Sequence, residues 1–342
     1  MSNQFEFTLG LDLAQASFDA AVAAAGLQAD AWRSLPHVHL DHAPDSAAGV
    51  AALLAWLAAI VPAGRCRVVV VESTGTLSRR VARALSGAGL GGVAIVNPRR
   101  TKAFGDSLGV RDKSDRIDCA LLAAYALERK PQPTVLRGAG EEELRELTRL
   151  RQQMVAERTA WISRRGEAVS PAARGVINQT IEDLERRIKQ LETQIDQCIE
   201  HEPVLHRKVT ALQNIPGIGK VTARTLTAEL GDLRHYSRGQ LVALAGMFPK
   251  QFGSGTSVQR RPRLAKGGGA RLRRVLYMCA TCLFHAKGAP RQWVDEQLAR
   301  GRKPMVVATI LMRKLLLVAR AVMLAGGHFD PSLLHRKQVN AP

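Results

Sequence analysis

Aromatic side chains are scarce in this 342-residue chain, at 4%. That argues against nucleic-acid recognition built mainly on stacking bases against rings. Cysteine is sparse too, with five residues at positions 66, 119, 198, 279 and 282. An odd, scattered set gives no disulfide framework and fits a reducing compartment. Cys279 and Cys282 form a CxxC with His285 close behind, but "VLYMCATCLFHA" reads as a buried helix and lacks a second pair, so core packing is preferred to a metal half-site. No long apolar run is free of charge. The stretch from Pro304 to Ala325 is broken by Arg313, Lys314 and Arg320, which makes it a core or amphipathic helix rather than a membrane span. The opening "MSNQFEF" has neither a basic start nor an apolar run, so no signal peptide is expected and the protein is expected in the cytoplasm.

Acidic residues are outnumbered. Lys and Arg total 49 against 30 Asp and Glu, a formal net charge of +19, which points to a polyanionic partner. The excess is uneven: residues 1–98 carry a net of −1, and residues 251–342 a net of +14. The C-terminal part therefore reads as the main phosphate-binding surface, and a basic surface kept only for solubility is the lesser alternative. With 46% hydrophobic residues the chain is globular, and its length suits two domains plus a connector.

Segments 5–14, 17–26 and 31–40 read as successive strands, and 45–60 as a helix with Asp45 in the N-cap position. "RVVVVEST" (67–74) is a β-branched run of the kind buried on both faces, followed by a helix, and "GVAIVN" (92–97) is another such strand, ended by Pro98. Three strands and then helix–strand alternation imply a mixed α/β sheet over residues 1–135. Residues 136–205 are poor in Gly and Pro and rich in Glu, Arg, Leu and Gln. They predict two helices, near 141–168 and 176–200, as a coiled-coil-like connector. A dimerisation arm and an intramolecular hairpin are both open readings of it. Residues 206–330 predict a mostly helical domain, with helices near 270–286, 291–300 and 304–325 after a Gly- and Arg-rich stretch, and 331–342 a basic tail.

The acids carry the sharper signal. Asp12 ends the first strand and Glu72 ends the buried one, and ligands of open α/β sheets gather at strand ends. In "VRDKSDRIDCALLAAYAL", Asp115 and Asp118 stand three apart at a helix start, which puts both on one face. Four converging carboxylates suit hard divalent cations in phosphodiester cleavage. Each has a duller reading as a cap, an ion-pair partner or a first-turn acid. The four in this order favour the metal site, and an acid closing a β-branched run is poorly placed for burial without a neutralising partner. Asp106 and Asp112 fall off the pattern.

The segments "LGLDLAQASFDAAV", "VVVVESTG", "VNPRRTKAFGDSLGVRDKSDRIDCALLAAYA" and "LQNIPGIGKVTARTLTAELGDLRHYSRGQLVALAGMFPKQFGSGTS" resemble the insertion-sequence-110 transposases, also described as DEDD transposases or bridge-RNA-guided recombinases. The resemblance runs over about residues 6–325. It implies a RuvC-like, RNase H-type domain whose four acidic positions match Asp12, Glu72, Asp115 and Asp118, with Mg²⁺, or Mn²⁺, as cofactor. It also implies a transposase domain with a nucleophilic serine before a glycine. Ser254-Gly255 matches; Ser257 ranks second because no glycine follows it. In the family the serine takes up a DNA phosphate covalently, and the RuvC-like site of one subunit works with the serine of another. A structured RNA pairs with target and donor DNA, and dimers assemble into tetramers. A bacterial, nucleoid-associated enzyme is the expectation. Where many relatives read closer to "GLAPxxxxSG", this chain has "AGMFPKQFGSG", keeping the Gly, the Pro and the SG.

Taken by themselves, Ile215-Pro216-Gly217-Ile218-Gly219 before a helix read as the hairpin of a helix-hairpin-helix element. Gly217 and Gly219 would let backbone N–H groups approach a phosphate, and Lys220 would add charge. A plain turn is the alternative. A Gly-Ser-Gly alone would read as a flexible loop. Lys113 beside the acidic pair, and Arg260, Arg261, Arg263, Lys266, Arg271, Arg273 and Arg274, are candidate nucleic-acid contacts. The rival functions are a RuvC-like nuclease or junction resolvase acting by hydrolysis, a sugar-kinase-like phosphotransferase, and a catalytically silent DNA-binding protein. The phosphotransferase would need glycine-rich phosphate loops in both halves.

Overall fold

The computed structural model describes residues 6–24, 31–61, 65–254, 258–264 and 268–330, and the chain divides into two compact units, 1–136 and 137–342. In the first unit, β1 (Glu6–Leu13) pairs antiparallel with β2 (Phe18–Ala24), and β2 with β3 (His37–Leu40). On its other side β1 runs parallel to β4 (Arg65–Glu72), and β4 to β5 (Gly92–Val96). The order β3-β2-β1-β4-β5 is the mixed sheet that three strands followed by helix–strand alternation imply. Val68 to Val71 are fully or almost fully buried, as a central strand covered on both faces demands.

Side-chain alternation divides the sheet between two layers of helix. Leu9 and Leu11 face α1 (Ala47–Ile60) and α2 (Thr76–Gly87), packing with Leu53, Leu57, Val81 and Leu85. Ala21, Ala23, Val68, Val70 and Val96 face the other way, with Phe104 of α3 (Pro98–Ser107) and Leu122 of α4 (Asp115–Arg129). Two local expectations are corrected here. The N-cap of α1 is Ser46, whose hydroxyl accepts from Gly49 N at 3.0 Å, while Asp45 pairs with Arg80. Pro98 does not merely end a strand. It opens α3 behind the Asn97 cap, because a fixed φ and a missing N–H are harmless in the first turn of a helix.

Gly10 sets the distance between β1 and α4. A Cβ at this position would overlap the backbone of α4 at Cys119 O and Ala123 N, and would lie 2.8 Å from Leu122 C. Two residues earlier, the buried Thr8 hydroxyl donates to Ala123 O at 2.9 Å and ties the helix to the strand. Helix backbone is a poor place to find slack, so Gly10→Val is expected to destabilise the unit by about 3 kcal/mol or more. It should also carry the first turn of α4 away from the sheet. Denaturant unfolding checks this, and a loss under about 1 kcal/mol would mean that α4 is not held in place here.

In the second unit, α5 (Ala139–Glu167) and α6 (Pro171–His201) run antiparallel, tied by Arg151–Glu192 at 2.8 Å and Arg158–Glu185 at 3.4 Å. Within the chain the connector folds as a helical hairpin, and its second helix starts earlier than expected, with Pro171 at the N1 or N2 position. Next come α7 (Pro203–Gln213), α8 (Lys220–Leu230), α9 (Arg238–Leu244), α10 (Ala270–Phe284), α11 (Ala289–Ala299) and α12 (Pro304–Leu324). They enclose a core that includes Leu226, Leu241, Leu276, Leu315 and Leu316. The Gly- and Arg-rich stretch is not structureless: β6 (Pro249–Ser254) and β7 (Val258–Leu264) form an antiparallel pair. No helix among the described residues is long and apolar enough to cross a membrane.

Candidate active site

Strand register puts the acids side by side. Asp12 lies directly across from Asp19 on β2. Leu11 is level with Val71, which brings Glu72, the next residue, level with Asp12 on β4. Residues facing each other across neighbouring strands send their side chains to the same face. Asp19, Asp12 and Glu72 thus form a row over three adjacent strands, spaced by roughly 4.8 Å of backbone. This is the face that α4 covers. Its first turn carries Asp115 and Asp118, capped by the Ser114 hydroxyl accepting from Ile117 N at 3.3 Å. One turn apart, the two carboxylates share a side of the helix, and the N-terminal end favours negative charge.

The electrostatics show that the four predicted acids share one field. Burial, then the charges of Asp118, Asp115 and Glu72, push the Asp12 carboxyl up to about 6, against a hydrogen bond from the Leu13 backbone that lowers it. Asp118 is raised as well, by burial and by Glu72 and Asp115, while the Lys113 ammonium opposes the rise. Lys113 therefore stands next to the acidic group, as the K-S-D-x-x-D string places it.

Three residues of the site were not anticipated. Asp19 is almost fully buried, and its Oδ2 is 2.9 Å from His39 Nδ1 on β3. That hydrogen bond and the Asp19 charge raise the His39 pKa. Thr101, on α3, donates its hydroxyl to Glu72 Oε1. With Asp19 turned to His39 and Glu72 to Thr101, no three His, Cys, Asp or Glu side chains among the described residues are drawn into a metal cage. The donor chemistry nonetheless fits a hard divalent cation. Asp12, Glu72, Asp115 and Asp118 offer only carboxylate oxygens, they come from three elements of one face, and the mutual repulsion felt at Asp12 is what a cation relieves.

The remaining predicted residues lie in the second unit. Ser254 is the last residue of β6, opposite Val258, at the closed end of the strand pair. Gly255, Ser257 and Lys266 fall outside the described residues. Arg260, Arg261 and Arg263 lie on β7. Gly217 adopts φ +86° in the turn between α7 and α8, where Ile215 and Ile218 are buried on either side of it, and Gly219 is the N-cap of α8. Lys220 is not a free charge: its ammonium is 2.9 Å from Asp196 Oδ2. Arg273 turns inward and donates to Ala245 O at 2.9 Å and Gly268 O at 3.1 Å, whereas Arg271 and Arg274 border a cleft. Cys279 is buried against the Thr222 hydroxyl and Cys282 is exposed, so the CxxC is no paired ligand set.

Two family models match the chain: a DEDD-type IS110 transposase model over residues 9–169, and "Transposase IS116/IS110/IS902 family" over residues 209–294. The first spans the carboxylates, and the second the α7–α8 turn and the β6–β7 pair. Among similar proteins is the "Pilin gene-inverting protein" of Moraxella bovis, 30% identical over 94% of this chain and 97% of its own length. Its counterpart in Moraxella lacunata is 29% identical over the same shares. The transposase of insertion sequence element IS1328 from Yersinia enterocolitica is 32% identical over 46% of this chain and 44% of its own. Sheet order, carboxylates and both matched segments lead to one conclusion: the chain belongs to the IS110 family of transposases, DNA-cleaving and strand-transferring enzymes of the DEDD type that depend on divalent metal.

Proposed function

We propose that this transposase cuts and rejoins DNA through Ser254, with Mg²⁺ held by Asp12, Glu72, Asp115 and Asp118, and that a structured RNA selects the sites. The observation that carries the reading is that four carboxylates gather at one end of the sheet, where burial first and then the charges of Asp118, Asp115 and Glu72 lift Asp12 to about 6. When bound, the cation neutralises charge that develops on the reacting phosphodiester. The chain's own groups do the rest. The Ser254 oxygen attacks phosphorus and gives up its proton, the bond to the leaving sugar oxygen breaks, and that oxygen is protonated. A serine–phosphate ester conserves the bond energy, and the hydroxyl of another strand attacks it, restoring the serine. Thr101 orients Glu72 through its hydroxyl, and Lys113 balances charge beside Asp118.

The relatives named for inverting a pilin gene support strand exchange over plain hydrolysis, since inversion requires every cut strand to be rejoined. The basic second unit offers Arg260, Arg261, Arg263, Lys266, Arg271 and Arg274 for phosphates. The α7–α8 turn, read as a helix-hairpin-helix, adds Gly217, Gly219 and Lys220, whose surface pair with Asp196 is weak enough to be exchanged for a phosphate. Few aromatics and a large positive charge suit guidance by base pairing to RNA. Dimers assembling into tetramers complete the proposal, with the α5–α6 hairpin as the candidate arm.

The test uses a nicked suicide duplex that traps covalent intermediates. Mg²⁺ is expected to give a denaturant-resistant protein–DNA adduct, which chelation abolishes. Cleavage with no adduct would instead assign hydrolysis by the carboxylates alone, the reading of a RuvC-like nuclease or resolvase.

A further inference from the structure

The second unit contains a cleft of about 700 Å³, bordered by Arg271 and Arg274, which the proposed function offers to phosphates without giving them a site. One wall is a single face of α5, where Arg145 and Arg149 stand one turn apart, with Arg137 just before the helix. The opposite wall is the start of α10, with Arg271 and Arg274. Glu229, at the end of α8, is the one carboxylate in the lining. The lining thus holds five guanidinium groups against one acid, and a second acid outside it, Glu142, lies 3.3 Å from Arg145.

Two kinds of arginine line it. Arg149 grips Glu229 with two hydrogen bonds of 2.8 Å, and Arg145 Nε lies 3.9 Å from the same carboxylate. Arg137 donates to Ala228 O and, at 2.5 Å, to Glu229 O, closing the carboxyl end of α8. These three are held in position by the fold. Burial alone would raise the Glu229 pKa, but Arg149, Arg145 and Arg271 outweigh it and hold the carboxyl below its ordinary value. Arg271, half-buried, and Arg274, exposed, make no ion pair among the described residues. Gly269 caps α10 without a side chain, so the first-turn N–H groups face the same region. Ion pairs and helix-end carbonyls account for Arg137, Arg145 and Arg149, but the further positive charge of Arg271 and Arg274 in the same concave surface adds repulsion that an anion would relieve.

The place of the cleft in the chain gives it meaning. Leu244, Gly268 and Gly269 also line it, and Gly269 N donates to Leu244 O at 2.8 Å. Leu244 ends α9 just before β6, and Gly268 follows β7. The cleft therefore lies at the root of the strand pair that carries Ser254. Ser254 stands at the far end of β6, about one strand length of roughly 20 Å from the Pro249–Leu264 end of the pair.

We propose that this cleft binds a backbone phosphodiester of the nucleic acid, through Arg271 and Arg274 on one wall and the preset Arg145 and Arg149 on the other. The inference rests on the recombinase reading and adds to it a phosphate anchor built partly from the connector helix. Guanidinium forks match phosphate oxygens in pairs, and the volume suits a sugar-phosphate unit. Both DNA and guide RNA present this group.

The test titrates full-length protein into fluorescein-labelled duplex DNA and, separately, a labelled RNA hairpin of equal stem length, across a range of salt. The variant is Arg271→Gln with Arg274→Gln. The control, Arg186→Gln with Arg187→Gln on α6, removes the same charge elsewhere, and circular dichroism melts confirm that both are folded. In at least one arm the cleft variant is expected to bind at least about tenfold more weakly than the control, with a salt slope lower by about two. The arm with the larger loss names the nucleic acid that occupies the cleft. If cleft variant and control bind alike in both arms, the cleft assignment is overturned while wild-type binding keeps the recombinase reading alive. If the wild-type protein binds neither probe, the recombinase reading falls and takes the cleft with it.

Discussion

Asp12→Asn is expected to abolish strand cleavage and yet raise the melting temperature of the cation-free protein. Both effects follow from the same carboxyl. Its folded pKa of about 6 exceeds the ordinary 3.8, so the folded state binds its proton more tightly than the unfolded chain does. The stability linked to that proton is present at low pH and is lost as pH rises from about 4 through 6. Above this window burial first, and then the charges of Asp118, Asp115 and Glu72, disfavour the ionised Asp12, and asparagine removes the penalty. Since the carboxyl is only half-buried, solvent screening leaves about 1 kcal/mol of it, a gain of a few degrees. Cleavage should fall on the order of a thousandfold or more, because asparagine supplies no anionic ligand. Added Mg²⁺ should raise the wild-type midpoint and move the variant's much less. Wild-type cleavage should also weaken as pH falls below about 6, where protons compete for Asp12. A variant that melts lower than wild type at neutral pH would show that the ionised Asp12 carries no net penalty in this setting, and the metal-site reading would lose its support.

How much of this could be read from the chain depends on the range of the interaction concerned. Asp12, Glu72, Asp115 and Asp118 were visible because each sits at an element end that local pattern marks: a closing strand, a valine run, a capped helix start. Asp19 was hidden because its place beside Asp12 depends on the β1–β2 register, and thus on the length of the turn between them. Thr101 is hidden because Pro98 reads locally as the end of a strand, while in the fold it also opens the helix that delivers the threonine to Glu72. The β6–β7 pair has no apolar alternation. Three arginines, two prolines and one glycine stand in it, so its pairing is set by the unit around it. Glu229 and Arg149 stand 80 residues apart, and nothing local to either foretells their bidentate pair. Gly10 lies between the two cases. A glycine in a strand signals close approach of other backbone, but only the fold identifies that backbone as α4.

Ser254→Ala is expected to eliminate the covalent protein–DNA adduct and to lower strand cleavage on the order of 10⁴-fold or more, the scale seen when a nucleophile is deleted. The substitution removes one oxygen atom at the last pair of β6 with β7 and leaves the backbone pairing unchanged, so the variant is expected to melt as wild type does. Ser257→Ala should keep most of the adduct, since Ser257 is not followed by the glycine that lets a phosphate come close. The pair of variants separates three chemistries. Loss of the adduct in Ser254→Ala alone makes Ser254 the nucleophile, and loss in Ser257→Ala alone moves that role three residues on. Cleavage that survives both but fails in Asp12→Asn means that water attacks, and the carboxylates then form a complete nuclease without the second unit's serine. A serine ester stores the energy of the broken phosphodiester until a new strand arrives, whereas water discards it. The choice between these outcomes therefore decides whether the chain can rejoin DNA without an outside energy source.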